Sequence, residues 1–156
     1  MSPAPLLLVA VASLSASILA GRVGARTWLA LVSLGTAAGL GASLAVLLGA
    51  GDLEWRSAFA VGGEPLHVRL DALGAVFVAL LCVVGGAGAV YASTYWSDAH
   101  HPASAPRGRA WWSASLVCLG LVMTASNGLH FLIAWELFAV CSYVLITLER
   151  GRAEVA

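Results

Sequence analysis

The chain has 156 residues, eight arginines and no lysine against eight acids, a formal net charge of zero, 60% hydrophobic residues and only 10% charged ones. Ordinary soluble domains carry about 25% charged residues, so the composition points to an integral membrane protein. A neutral chain has no basic field to draw a polyanion, which excludes nucleic acid as a partner.

About 20 predominantly apolar residues cross a bilayer core, and five runs of that kind follow one another at residues 3–21, 28–50, 72–96, 110–126 and 129–148. The sequence therefore predicts an all-α integral membrane fold of about five transmembrane helices. The first run has no charge before Arg22 and lacks the positive start of a secretory signal, so it is read as a retained helix. Ala16, Ser17 and Ala20 also resemble a processing site, and cleavage there would remove that helix alone.

Gly35 and Gly39 in the second run, and Gly85, Gly86 and Gly88 in the third, are small residues at helical spacing that let helix backbones approach closely. Between these runs, residues 51–70 change texture. Two short, partly alternating segments flank Gly62-Gly63, which predicts a short extracytoplasmic β-hairpin between helices 2 and 3, its second strand weakened by Pro65. Asp71 precedes the third helix, where its carboxylate is expected to cap the first turn.

Residues 97–109 form a polar inner loop in which Pro102 and Pro106 are expected to stop helix continuation. His100 and His101 are adjacent, point apart in regular structure and have no third ligand nearby, so no metal site is expected. Cys82, Cys118 and Cys141 fall in apolar runs without CxxC or Cys/His spacing and read as packing residues. Asn127-Gly128 breaks the last apolar stretch into an antiparallel helical pair.

Five spans put Arg22, Arg26, Arg107, Arg109, Arg150 and Arg152 on one side and only Arg56 and Arg69 on the other. The positive-inside rule then places the amino terminus outside and the carboxyl terminus in the cytoplasm. Tyr95 and Trp96, with Trp111 and Trp112, bracket one loop as an interfacial belt would.

The fifth run contains Glu136. A charged side chain near a bilayer centre costs roughly 2.5 to 3.5 kcal/mol on insertion scales, and those that occur generally face a protein interior or a wet cavity and handle ions. Helical spacing groups Glu136 with Leu129, Leu132, Ile133, Ala139, Val140 and Tyr143. Tyr143 is its only polar companion, two turns or about 10 Å away, within reach of a bridging water rather than a direct bond. His130 lies on another side of the helix and reads as an interfacial residue. Burial disfavours a charged carboxylate and a nearby cation favours it, so a group held between the two can load and release a proton. No lysine exists and no arginine is placed within a helix, so the cation is expected from outside the chain.

The segment Phe131-Leu-Ile-Ala-Trp-Glu-Leu-Phe-Ala-Val-Cys-Ser-Tyr-Val-Leu-Ile146 resembles the fifth transmembrane helix of the antiporter-like proton-translocating subunits. That family takes in the large membrane subunits of respiratory complex I, component B of membrane hydrogenases of the formate hydrogenlyase type, and the large subunits of multisubunit sodium/proton antiporters. Leu70-Asp-Ala-Leu73, the hairpin before it, and Tyr91, Tyr95 and Trp96 extend the resemblance over residues 64–150. The resemblance implies that Glu136 is a proton carrier paired with a lysine on a later, broken helix; no other site residue is carried over, and Tyr143, His130 and Asp71 are candidate supporting residues from the sequence itself. It implies a bacterial cytoplasmic membrane, other membrane subunits of a redox or antiporter complex as partners, and protons as cargo, with sodium as the alternative.

Family members have about fourteen helices, two inverted five-helix repeats after three leading ones. On that pattern residues 1–109 correspond to the leading helices with their two loops, and 110–156 to the first two helices of a truncated repeat. The implied function is the amino-terminal part of a proton-translocating subunit of a complex I-like NADH-quinone oxidoreductase or a membrane hydrogenase. The alternative is a non-transporting scaffold or assembly subunit of such a complex. No flavin, iron–sulfur, haem or nucleotide motif is present, so no cofactor is expected, and any oxidoreductase activity would belong to the complex.

Overall fold

The computed structural model describes residues 2–150. Pro3, which lacks an N–H that a first turn does not need, opens helix α1 at Pro3–Val23. A single extended residue, Gly24, joins it to α2 at Ala25–Ala45, so the two helices must fold back on each other. Wider helical turns over Val46–Ala50 prolong α2 until Gly49 leaves the helix at φ +94°. Helix α3 spans Ala72–Tyr95, α4 spans Ala105–Thr124 and α5 spans Gly128–Ile146.

Helices α1, α2, α3 and α4 close a ring, and α5 leans on the outer side of α4. One apolar cluster, at the hairpin end, joins Ala42, Val46, Leu70, Ala75, Val78 and Cys82. The second joins Trp28, Val32, Ala89 and Leu116. Trp28 is fully buried, and its indole N–H donates to Ser113 Oγ at 2.9 Å, which satisfies both polar groups across α2 and α4. The predicted glycine contacts form as expected: a Cβ on Gly39 would lie 2.7 Å from Cys82 Sγ, and one on Gly88 2.5 Å from the Trp112 ring.

The hairpin pairs β1, Leu53–Val61, with β2, Glu64–Leu70, around Gly62-Gly63. Both glycines have positive φ, +64° and +89°, the two-residue turn that matches strand twist. Pro65 sits opposite Ala60 inside β2, and the register shifts between Arg56 and Ala60. In that bulge Ser57 Oγ accepts from Leu66 N at 2.9 Å and donates to Phe59 O at 2.5 Å. The far edge of β2 is also occupied. Val68 bridges Ala125, Ser126 N donates to His67 O at 2.9 Å, and Asn127 Nδ2 donates to Pro65 O at 3.2 Å. The hairpin is thereby tied to the α4–α5 link.

Three expectations are corrected. Helix α4 begins at Ala105, because Pro106 falls in the first turn, where proline opens a helix instead of stopping one. The inner loop is correspondingly shorter, and Arg107 and Arg109 lie within α4, as Arg22 lies within α1 and Arg26 within α2. Arg152, counted with the inner arginines, lies outside the described residues. Among the described residues, four helices are long and apolar enough to cross a membrane, at Pro3–Val23, Ala25–Ala50, Ala72–Tyr95 and Gly128–Ile146, while α4 is not among them. Beyond Arg107, α4 exposes no residue along its length, so its serines and arginine meet protein rather than lipid. Finally, Trp112 packs into α3 at Gly88, with its Nε1 3.4 Å from Gly85 O, and is a packing residue rather than part of a belt.

Candidate functional site

Helix α5 is the least covered of the long helices, with 17% of its apolar window buried. Its buried residues, His130, Ala134 and Cys141, form the stripe that faces α4. Glu136 lies nearly opposite that stripe and is exposed. The whole set that helical spacing groups with it is exposed as well, including Leu132 at 57%, Val140 at 52% and Tyr143 at 60%. Glu136 makes no hydrogen bond or ion pair among the described residues, so its carboxylate stands on an apolar face turned away from the bundle.

The expected supporting residues are not gathered around it. Tyr143 shares the outward face, two turns on. His130 is 4% exposed on the α4 side, and neither ring nitrogen has a partner among the described residues. Asp71 caps α3, accepting from Gly74 N at 2.8 Å, and lies 4.0 Å from Arg69. It lines a shallow cavity of about 200 Å³ together with Arg69, Phe77 and the α4–α5 link, at the end of the bundle that carries the hairpin.

Among the described residues, charge elsewhere is confined to the two ends. At the hairpin end Arg69 bonds Asp52 at 2.7 Å, while Glu54 takes Arg56 at 3.1 Å and His67 at 2.8 Å. Hydrogen bonding from Arg56 and then His67 holds the Glu54 carboxyl below its ordinary value, and Asp52 raises Arg69.

At the opposite end Arg109, 6% exposed, donates to Gly21 O at 3.0 Å and to Asp98 at 2.8 Å, clamping α4 to the end of α1. His101 stacks on Trp96 at 3.9 Å and reaches Glu149 at 3.3 Å, and Ser104 donates to the same carboxylate. His100 turns instead to Ser97, so the two adjacent histidines serve different partners. The sequence reading missed these clamps, because the bonds to Gly21 and Glu149 join residues 45 to 88 apart.

Comparison with known proteins finds no family model that matches this chain and no similar protein among those with curated descriptions.

Proposed function

We propose that this chain is the amino-terminal part of a proton-translocating membrane subunit of a complex I-like NADH-quinone oxidoreductase or a membrane hydrogenase, with Glu136 as the proton carrier. The observation that carries this reading is the position of that carboxylate. It stands in the middle of an apolar 19-residue helix, on the face its own bundle leaves uncovered. An ionised carboxylate facing hydrocarbon is costly, and one that is protonated or met by a donor is far less so. The group therefore works at an interface with a further membrane helix that brings a cation or a hydrogen-bond donor. In that setting it takes up a proton when the donor withdraws and yields it when the donor returns.

On this reading the hairpin lies outside and the 97–104 loop in the cytoplasm, in a bacterial cytoplasmic membrane. A second reading has one observation in its favour: the same uncovered face of α5 can hold an assembly together without moving ions, as in a scaffold subunit. Glu136→Gln separates the two. The carrier reading expects proton pumping to fall to background with the complex assembled at its normal level. Loss of assembly, or undiminished pumping, overturns it in favour of the scaffold.

A further inference from the structure

The hairpin carries an open edge that nothing in the proposed function uses. β2 is bonded on both sides, to β1 and to the α4–α5 link, whereas no outward backbone group of β1 over Leu53–Arg56 has a partner among the described residues. Open edges of this kind template strand pairing. The register pairs place Glu54 and Arg56 on one face with Arg69 and His67, and Leu53 and Trp55 on the other with Leu70 and Val68. Leu70 is fully buried, so the Leu53/Trp55 face is the one that rests on the helix ends. Trp55 nonetheless remains 51% exposed at the rim.

From these features we infer that β1 pairs with β1 of a second copy of this chain, antiparallel and centred on Trp55, to give a four-stranded sheet across two molecules. The regular run is Leu53–Arg56, since the register shifts after Arg56 and Ser57 lies in the bulge. Within that run the charges set the pairing: with Trp55 opposite Trp55 of the other copy, Glu54 faces Arg56 of that copy and Arg56 faces its Glu54. Cross-strand opposite charges and aromatic pairs both favour such pairing, and like charges directly opposite oppose it.

Arg56 and Glu54 are 64% and 50% exposed while paired to each other at 3.1 Å, and the junction exchanges that pair for two between the copies. Antiparallel pairing also places the twofold axis perpendicular to the sheet. The sheet lies across the bundle end, from the start of α3 to Leu129 of α5, where a Cβ on Gly62 would lie 2.7 Å from Leu129 Cδ2. Two copies that share one bilayer in the same orientation need that axis to run along the membrane normal.

The charge pattern supplies its own test. Full-length chains with two different tags are expressed together in membranes, and co-purification is measured. Wild type pairs with wild type. Glu54→Arg alone and Arg56→Glu alone each place like charges opposite and are expected to lower self-pairing by about tenfold. Glu54→Arg mixed with Arg56→Glu restores opposite charges at both positions and is expected to recover the wild-type level, which also shows that both variants fold. In parallel, Trp55→Cys is expected to form an oxidised dimer in the membrane, and Glu54→Cys to cross-link to Arg56→Cys rather than to itself. Undiminished self-pairing of the single variants, failure of the mixture to recover, or cross-linking through Val140→Cys on α5 in place of position 55 overturns the inference.

Discussion

Asp71 and Trp28 mark the two extremes of what one residue discloses. The cap made by Asp71 was legible because it depends on a residue type and an offset of three, both local to the chain. The Trp28–Ser113 bond was not, since its partner lies 85 residues on and only the assembled ring brings them together. Glu136 falls between: the face it shares with Tyr143 followed from helical spacing, but that this face turns away from the bundle did not.

Glu54 gives a pH prediction at this same scale. Its folded carboxyl sits below its ordinary value of 4.5, chiefly through the bond from Arg56. A depressed acid contributes its stabilisation fully above the unfolded value and loses it as pH falls through the folded one. Amide exchange over Leu53–Val61 should therefore accelerate, relative to Glu54→Gln, once pH drops below about 4.5. Exchange that tracks the variant at every pH would show that the pair does not hold the strand.

Among the elements, the hairpin was readable because Gly62-Gly63 is a turn signal with a steric reason behind it, and Pro65 proved tolerable once Ser57 supplied a bond in the bulge. The start of α4 was misread because proline stops a helix in its interior and opens one in its first turn, and the sequence alone does not say which applies. Close helix approach makes a sharper prediction. A Cβ at Gly21 would lie 2.8 Å from the backbone nitrogen of Ala110, so α1 and α4 have to separate to admit it, whereas one at Gly24 meets nothing within 4 Å. Gly24 also has extended backbone, φ −178°, that any residue adopts. Gly21→Ala should cost about 1 to 3 kcal/mol, the usual range for overpacking, and Gly24→Ala should be nearly neutral. Thermal unfolding of the two variants in detergent checks the contrast, and equal losses would contradict the contact.

For the molecule as a whole, the count of long helices was legible from apolar run length, but their arrangement was not. The fold sets the least apolar helix, α4, between α1, α3 and α5, which cover it. Run-length reasoning treats every helix as facing lipid and has no term for that shielding. The same arrangement leaves α5 packed chiefly against α4, so the acid on its far side is exposed. The two ends of the bundle are chemically distinct, with the hairpin, the start of α1 and the α4–α5 link at one, and the Arg109 and His101 clamps at the other.

Orientation follows as a prediction. A membrane-impermeant maleimide should label Ala58→Cys from outside intact cells, and Arg107→Cys only after the membrane is opened. The reverse pattern would invert the proposed topology.

The central claim is that Glu136 gains and loses a proton inside the membrane. Infrared difference spectra of the assembled complex, recorded across pH and set against Glu136→Gln, observe that carboxyl directly. The account predicts a protonated C=O band that fades as pH rises and is absent from the Gln variant. A carboxylate signal at every pH, with no such band, would contradict it.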